Sequence, residues 1–199
     1  MDENDLIRRS AEGDVDAFEA LVRRRRDRVF WIAFHVVGEA ELARDVTQEV
    51  LLRLFRVIRR FRKGASFDAW LYRITLNLGI DALRRERPHR EAASLDEGAV
   101  PSGPKLAAPG GRIPSPAEEM RVDEVRRIFM TLSALLPRKQ RFAFILREIE
   151  GLSTAEVAAV LRTSGSTVRN HVLQARRVLR EELRRRFPEY CRPRSHSRE

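Results

Sequence analysis

The sequence predicts an all-α protein of two small helical domains joined by a flexible linker rich in Pro and Gly. Apolar residues recur at helical spacing along most of the chain, but between about residues 89 and 115 Pro, Gly, Ala and Ser interrupt that pattern. Two short helices joined by a tight turn then follow in the last third. We therefore expect a first domain at 1–88, a linker at 89–115, a second domain at 116–187 and a disordered tail at 188–199.

Three long helices are expected in the first domain, after a short amphipathic segment at 2–10. Gly13, Gly38 and a basic loop at 61–65 separate them, and Pro88 should end the third. The apolar residues expected to be buried are Phe18, Leu21, Val22, Val29, Ile32, Ala33 and Val36 on the first helix, Leu42, Val46, Val50, Leu51, Leu54, Phe55 and Ile58 on the second, and Leu71, Ile74, Leu78 and Leu83 on the third.

The net charge indicates a polyanionic partner. Lys and Arg number 39 against 29 Asp and Glu, which gives a net charge of +10 and a pI near 11.0, and nucleic acid fits such a charge best. A membrane surface is the rival, but no apolar run approaches the roughly 18 residues of a spanning helix. The N-terminus also lacks the apolar core of a signal peptide. We expect a cytoplasmic protein with no membrane insertion.

Two polar groups on the first two helices have alternative interpretations. The arginine run at 23–26 is either a solvated face or a specific contact. On the second helix, Asp45, Gln48, Glu49 and Arg53 share one outer face. In a chain this basic, that group is either a protein-binding patch or an exposed face suited to helix formation, and spacing alone does not decide between them.

Aromatic and basic residues meet at the corner before the third helix. Ser66 can cap this helix, and Phe67 and Trp70 lie on its first turns. Single-stranded nucleic acid needs this combination, because bases stack on rings while cations hold the phosphates. Packing in the core is the alternative role for both aromatic residues.

The second domain should begin with a helix from about Pro116 to before Pro137, followed by a helix at 138–149 with Ile149 directed inward. The residues after it have the pattern of a helix-turn-helix. Ser153 and Glu156 can form a reciprocal capping box at the start of its first helix.

Gly165 should provide the positive φ of the turn at 162–165, and the second helix of the motif should start at Ser166 or Thr167 and extend to about Arg186. In a helix-turn-helix this second helix enters the DNA major groove, and Arg, Asn and Gln can read guanine and adenine there. A plain helical hairpin with a solvated polar face is the alternative.

Catalysis is not expected. The histidines, His35, His89, His171 and His196, are scattered, with no paired carboxylate or nucleophile at supporting spacing and no Gly-rich phosphate loop. The single cysteine, Cys191, cannot form an internal disulfide and has no neighbours at metal-ligand spacing. We expect no enzyme activity, no cofactor and no metal site.

Three stretches of the chain occur in this order around the linker: DVTQEVLLRLFRV, FDAWLYRITLNLGIDALRRE and LPRKQRFAFILREIEGLSTAEVAAVLRTSGSTVRNHVLQARRVLREEL. Together they resemble the extracytoplasmic-function (group IV) sigma factors of bacterial RNA polymerase. The resemblance covers about residues 14–88 and 116–185. Any one motif is weak, since helix-turn-helix motifs occur in many regulators, but the three together are specific.

The resemblance implies a promoter-recognition subunit that binds core RNA polymerase and the −10 and −35 elements, with an anti-sigma factor as a further partner. The clamp of the largest polymerase subunit would bind Asp45, Gln48, Glu49 and Arg53. The −10 element, with one base unstacked, would contact Lys63, Ser66, Phe67, Trp70, Tyr72, Arg73, Asn77, Arg84 and Arg85. The −35 duplex would contact Ser166, Thr167, Arg169, Asn170, His171, Gln174, Arg176 and Arg177.

Some residues depart from the family pattern. Asp68 lies where a neutral or basic side chain is frequent, which should weaken DNA contact at that corner. His171 and Gln174 lie where a basic residue is common, so the base preference at the −35 element stays open. A freestanding helix-turn-helix repressor or activator is the alternative function, and the face from Asp45 to Glu49 discriminates because such a regulator has no need of it.

Overall fold

The structure, a computed structural model, describes residues 2–61, 64–90 and 116–191, with the backbone alone at 87–90 and 116–123. The described residues form helices and turns and no strand, which confirms the all-α prediction. The chain divides into two compact units, Met1–Met120 and Arg121–Glu199. Most of the predicted linker lies outside the described residues.

The helices of the first unit are α1 (Glu3–Glu12), α2 (Val15–Val37), α3 (Ala40–Val57) and α4 (Phe67–Arg90), with a 3₁₀ turn at Ile58–Arg60 after α3. Asp14 caps α2 by accepting a hydrogen bond from the Ala17 N–H at 2.9 Å, and its carboxylate also binds Arg9 at 2.6 Å. The Ala17 N–H contributes most, and the Arg9 hydrogen bond next, to a pKa of Asp14 below its ordinary value. These local contacts fix the turn between α1 and α2.

Helix α2 is central in this unit and packs against α1, α3 and α4. Leu21 and Val29 of α2, Leu54 of α3 and Leu71 of α4 have no exposed surface. Burying each such side chain contributes about 1.5–3 kcal/mol. The shared core therefore holds α3 and α4 against α2 and leaves their opposite faces exposed.

The buried face of α4 differs from the predicted one. Its buried side chains include Leu71, Tyr72, Thr75, Leu76 and Ala82, whereas Ile74, Leu78 and Leu83 are only partly buried. Gly79 explains the difference, because it lies where α2 crosses so closely that an added Cβ would be 2.8 Å from Val36 Cγ1. The buried Thr75 hydroxyl is satisfied by donating to the Leu71 carbonyl at 3.0 Å.

Helix α4 also continues to Arg90, two residues beyond the proline predicted to end it. A proline lacks one N–H, so within the last turn Pro88 removes a single backbone hydrogen bond and its φ remains compatible with a helix. The expectation that α4 stops at Pro88 was therefore wrong by less than one turn.

Helix α5 (Pro116–Ser133) begins just before the boundary between the units and continues into the second unit. The other helices of the second unit are α6 (Arg138–Phe144), α7 (Thr154–Leu161) and α8 (Gly165–Arg186). Helices α6 and α7 pack against α8, and Phe129 of α5 stacks on Phe144 with ring centroids 6.0 Å apart. Leu146, Val157 and Val168 have almost no exposed surface. This core supports the helix-turn-helix formed by α7 and α8.

A π-helical turn at Ile145–Ile149 follows α6. Ile145 and Leu146 are buried, but Ile149, predicted to face inward, is 50% exposed. A π turn adds one residue to each hydrogen-bonded ring, so the side chains after it rotate out of the α-helical register. That rotation explains why the prediction for Ile149 was wrong.

The C-terminal tail starts later than predicted. Residues Pro188–Cys191 form a 3₁₀ turn that packs against α8. The hydrogen bond that the Tyr190 hydroxyl donates to the Glu124 carboxylate of α5 raises the pKa of Tyr190 above its ordinary value. The expectation of disorder is thus wrong for 188–191, and residues 192–199 lie outside the described part of the chain.

Replacing Gly79 by Ala should destabilise the first unit by about 1–3 kcal/mol, because the added methyl group would overlap the Val36 side chain. Chemical denaturation followed by circular dichroism measures the loss. The double variant with Val36→Ala removes the overlap and should recover part of it, which a double-mutant cycle reports as a favourable coupling energy. A Gly79→Ala protein as stable as the wild type would contradict this close crossing.

Candidate functional site

The outer face of α3 carries the residues predicted to bind polymerase. Asp45, Gln48, Glu49 and Arg53 are all exposed, and their spacing of three and four residues aligns them along one side of the helix. The face therefore presents two carboxylates, an amide and a guanidinium to solvent, where a partner can reach them.

Two exposed apolar side chains accompany this polar group. Leu52 is 50% exposed and Phe55 is 54% exposed, although the periodicity predicted a buried Phe55. The Phe55 ring packs edge-on against Phe18 of α2, with centroids 5.1 Å apart. Phe55 lies at the border of the buried stripe, where the neighbouring helix and not the local spacing decides how much of a side chain is covered.

A groove of about 650 Å³ opens between α2 and α3 next to these side chains. Its lining is mainly apolar, with charged residues among it: Phe18, Val22, Phe30, Leu51, Leu52 and Phe55 together with Arg26, Asp27 and Arg44. An exposed apolar area of this kind, bordered by polar groups, is typical of a protein interaction site.

An aromatic cluster of Phe61, Phe67 and Trp70 forms where the 3₁₀ turn leads into α4. The ring centroids are 5.4 Å apart for Phe61 and Phe67, 5.3 Å for Phe61 and Trp70, and 6.0 Å for Phe67 and Trp70. Ser66 caps α4, as predicted, by accepting a hydrogen bond from the Ala69 N–H at 3.2 Å. The corner is thus built from local capping and ring packing.

The rings of this cluster have different exposures. Phe67 is only 7% exposed, so it offers little ring surface for the predicted DNA contact and instead packs against the other two rings. Trp70 and Phe61 are partly exposed. Phe61 was not predicted as a site residue, although an aromatic residue beside a basic loop is typical of a site that binds single-stranded nucleic acid.

Trp70, Arg73, Asn77 and Arg84 form a stripe along the outer side of α4, where all but the partly covered Trp70 are exposed. Their spacing of three, seven and fourteen residues keeps them on one side of the helix over about 21 Å. Tyr72, in contrast, is fully buried. It belongs to the face that packs on the core, so Tyr72 has no exposed surface for the predicted DNA contact.

Arg85 lies apart from this stripe and faces α3. With Asp45, Glu49 and Glu86 it lines a cavity of about 190 Å³ between the two helices. Arg85 therefore lies beside the carboxylates of the α3 face. Lys63, the remaining residue predicted to contact the −10 element, is outside the described residues.

Arg25 shows that the arginine run on α2 is not uniform. Arg25 is 8% exposed, whereas Arg23, Arg24 and Arg26 are exposed. Arg25 Nε donates to Glu3 Oε1 of α1 at 2.6 Å, and its Nη2 lies 3.0 Å from Asp68 Oδ1 of α4. Asp68, expected to weaken DNA contact, is thus held in an internal ion pair.

The start of the helix-turn-helix confirms the predicted capping box. The Ser153 N–H donates to Glu156 Oε2 at 2.7 Å, and the Glu156 N–H donates to Ser153 Oγ at 3.2 Å. The chain then reverses at Arg162, which has a left-handed φ of 51° and donates its N–H to the Ala158 carbonyl. The motif therefore has a three-residue turn at 162–164.

Gly165, predicted to supply the positive φ, is instead the first residue of α8. Ser164 caps this helix by accepting a hydrogen bond from the Thr167 N–H at 3.1 Å, so the backbone is already extended at 164 and helical at 165. The prediction for Gly165 was wrong because the reversal occurs where α7 ends, three residues earlier, despite the cost of a left-handed arginine.

The exposed face of α8 contains most of the residues predicted to contact the −35 element: Ser166, Arg169, Asn170, Gln174, Arg176 and Arg177 are exposed, and Thr167 and His171 are partly covered at its edge. Leu173 lies on the same face and is 64% exposed. Leu173 was not predicted as a site residue, although it lies beside Gln174, which was.

Several of these side chains already have partners within the unit. Arg176 binds Glu148 of the π turn, and Arg177 binds Glu181 at 3.1 Å. Exposed pairs of this kind contribute about 0–1 kcal/mol. Either arginine can therefore exchange its carboxylate for a DNA phosphate at small cost.

Two known family models match different parts of the chain. A model of sigma-70 region 2 matches residues 21–89, and a model of sigma-70 region 4 matches residues 126–179. The ECF RNA polymerase sigma-E factor of Escherichia coli (strain K12) is 31% identical over 177 residues, which cover 87% of this chain and 90% of the relative. The chain belongs to the extracytoplasmic-function sigma factors.

The sigma factor is also 33% identical over 177 residues to the ECF RNA polymerase sigma factor SigE of Mycolicibacterium smegmatis, a match that covers 87% of this chain and 65% of SigE. Its fold is similar to that of CnrH, solved in complex with the cytosolic domain of CnrY, with a TM-score of 0.62, 25% identity and coverage of 91% and 96% of the two chains. The predicted family is confirmed, and with it promoter recognition in transcription initiation.

The described part of this sigma factor has no membrane-spanning helix and no metal-binding cluster. None of its described helices is long and apolar enough to cross a membrane. Within the same residues, no group of His, Cys, Asp or Glu is arranged to hold a metal ion. The surfaces predicted to bind partners lie on the outer face of α3, at the corner and along the stripe of α4, and on the exposed face of α8.

Gly165→Ala should stabilise the second unit by about 0.4–1 kcal/mol, because the helical backbone accepts Ala and the unfolded chain loses freedom. An added Cβ meets only Thr154 Cγ2 at 3.5 Å and Arg169 Nη1 at 3.7 Å, which are ordinary contacts. Gly151→Ala is the matched control: nothing lies within 4 Å of its Cβ, but φ is 74°, so it should destabilise by about 1 kcal/mol. Thermal unfolding that shows a loss for Gly165→Ala would contradict the helix start at 165.

Proposed function

We propose that this sigma factor divides promoter recognition between its two units: the first binds core RNA polymerase and the opened −10 strand, and the second binds the −35 duplex. The α3 face is the observation on which the proposal rests most, because a DNA-binding regulator that acts without polymerase has no use for an exposed acidic and apolar protein-binding surface. The polymerase would supply the catalysis, so the sigma factor itself needs no catalytic site.

The α3 face has the composition of a protein interface. Exposed Leu52 and Phe55 give it apolar area that a partner can bury, and truncating such an anchor commonly costs 2 kcal/mol or more. Asp45 and Glu49 give it a charge opposite to that of most of this chain, which orients a basic partner surface during encounter. A basic surface on the polymerase clamp would fit this face.

The corner of α4 suits a melted strand. Trp70 and Phe61 offer ring surface for one unstacked base, which contributes about 1–3 kcal/mol. Arg73, Asn77 and Arg84 continue from Trp70 along the same side of α4, so the backbone of the strand can follow the helix. Duplex DNA would not offer a free base to the rings, and this favours the opened element.

The exposed face of α8 suits the major groove. Arg169, Asn170 and Gln174 carry the donors and acceptors that read guanine and adenine. Leu173 lies among them with most of its surface exposed, and an apolar side chain there can contact a thymine methyl group. These residues lie in the first three turns of α8, as the docking of a helix-turn-helix requires.

A protein that restrains the sigma factor is a further proposed partner. CnrH was solved in complex with the cytosolic domain of CnrY, which supports a protein partner besides polymerase for this chain too, and an anti-sigma factor is the partner that the family resemblance implies. The groove between α2 and α3 is apolar and adjoins the α3 face, so an occupant there would compete with polymerase. All these partners meet in the cytoplasm, where bacterial polymerase works.

Run-off transcription with purified core polymerase and a genomic DNA library tests the whole proposal. The sigma factor should start transcription at a defined set of sites, whereas core polymerase alone should not. Specific and tight binding of the free chain to duplex DNA, without any polymerase-dependent initiation, would instead favour a freestanding regulator.

Phe55→Ala and the triple change of Asp45, Gln48 and Glu49 to Ala should both weaken binding to core polymerase, the first by about 30-fold and the second to below detection. Leu52 and Phe55 are half exposed, so the stability of the unit should change little. Binding is measured with labelled sigma factor titrated by core polymerase. Val15→Ala, which truncates an exposed aliphatic residue outside the α3 face, is the control that should bind normally.

Arg169→Ala and Leu173→Ala should each change which −35 sequence is used, with a loss of about 1–3 kcal/mol at one base pair if Arg169 makes a bidentate base contact. Selection from a randomised −35 library by the holoenzyme measures the preference. Arg184→Ala, near the far end of α8, should leave the preference unchanged. An equal loss over all sequences for Arg169→Ala would identify a phosphate contact instead.

A further inference from the structure

The first turn of α4 is held by a group of charges, Arg25, Glu3 and Asp68, which we call the ion triad and in which the arginine is buried and the two carboxylates are partly exposed. Arg25 projects from the middle of α2 and is 8% exposed. Its guanidinium binds the Glu3 carboxylate of α1 through Nε at 2.6 Å and lies 3.0 Å from the Asp68 carboxylate of α4 through Nη2. One side chain therefore connects three helices.

In the sequence, Asp68 lies between two residues of the aromatic cluster. Phe67 directly precedes it and Trp70 follows two residues later, all in the first turn of α4. Each residue of an α-helix is rotated by about 100° from the next, so holding the Asp68 side chain fixes the rotation of this turn. The ion triad consequently restrains the helix turn from which the Trp70 side chain projects.

The ion triad and the aromatic cluster also border one space. A cavity of about 790 Å³ is lined by Arg25 and Glu3, by Phe61 and Phe67, and by Asp68. Two of the three rings therefore border the same space as the ion triad, and both of these rings pack against Trp70. The arrangement gives α1, which carries none of the predicted DNA contacts, a physical connection to the corner of α4.

We propose that Arg25, Glu3 and Asp68 are positioning residues for capture of the unstacked −10 base. They hold the Trp70 ring in the binding orientation and do not contact DNA themselves. A guanidinium suits this role, because its donors are planar and directional and bind two carboxylates at once. The inference rests on the proposed function of the aromatic cluster.

A neutral version of the ion triad tests this role. Losing Arg25 alone would leave two carboxylates unpaired beside buried surface and endanger folding, whereas neutral groups of similar volume are commonly tolerated. The main variant is therefore Glu3→Gln with Arg25→Met and Asp68→Asn, and Asp68→Asn alone is the milder one. Both carry Trp31→Phe, which leaves Trp70 as the single tryptophan of a chain that has two.

The holoenzyme of each variant is titrated with a single-stranded oligonucleotide that the wild-type holoenzyme has first selected from a randomised pool. The triple variant should bind it about tenfold more weakly, and Asp68→Asn severalfold, while Asp68→Glu should restore most of the affinity. Trp70 fluorescence of the free variants should shift, with unfolding stability and core-polymerase binding near the wild-type values. Glu12→Gln is the control, since Glu12 lines the same cavity but pairs with Arg8 of its own helix at 3.0 Å.

Three results would overturn the inference. The first is wild-type affinity and unchanged Trp70 fluorescence in the triple variant, or in Asp68→Asn should the triple variant fail to fold. The second is a weaker salt dependence of binding, by about one unit of slope, which would make Arg25 a phosphate contact. The third is an equal loss for Glu12→Gln.

The variant Trp70→Ala distinguishes the positioning role of the ion triad from the base-binding role proposed for the aromatic cluster. If Trp70→Ala binds the oligonucleotide as well as the wild type, the proposed role of the aromatic cluster fails. If Trp70→Ala loses binding and the ion-triad variants do not, only the positioning role fails.

Discussion

Helix α2 is covered by three other helices, and this packing decides which residues of the first unit are available to partners. Because α3 and α4 each turn one face toward α2, their opposite faces are left to carry the polymerase-binding group and the DNA stripe. The rotation of α4 is fixed at two places, by the close approach of Gly79 to Val36 and by the ion pair between Arg25 and Asp68. The two proposed binding surfaces are therefore consequences of one core.

Features that depend on neighbouring residues in sequence could be predicted. The capping box of Ser153 and Glu156 needs only two side chains three residues apart, and the Ser66 cap is equally local. The exposure of the polar group on α3 could also be predicted from spacing. Its members lie on the side of the helix opposite the buried apolar residues. Local chemistry and helical periodicity thus accounted for the element order and for most polar site residues.

Features that depend on residues distant in sequence could not be predicted. Tyr72 was assigned to the surface because the periodicity of α4 does not reveal that α2 crosses at Gly79. Arg25 looked like its exposed neighbours, because its carboxylate partners lie on α1 and α4. The position of the reversal at Arg162, with Gly165 already helical, depends on which of several turn geometries the packing of α7 on α8 selects.

The apolar residues of the proposed binding surfaces were not predicted to be exposed, and their exposure bears on the free energy of binding. Phe55 was assigned to the core because it is apolar and lies on an amphipathic helix, and Leu173 was assigned no role, yet both leave most of their surface in water. Burying apolar surface stabilises a protein or a complex by about 25 cal/mol per Å². Because this surface stays exposed in the folded chain, its burial can still stabilise a complex. Charged neighbours mainly steer and orient a partner. In the proposed complexes, the residues recognisable from sequence would therefore contribute encounter and specificity, and those revealed by the fold would contribute much of the affinity.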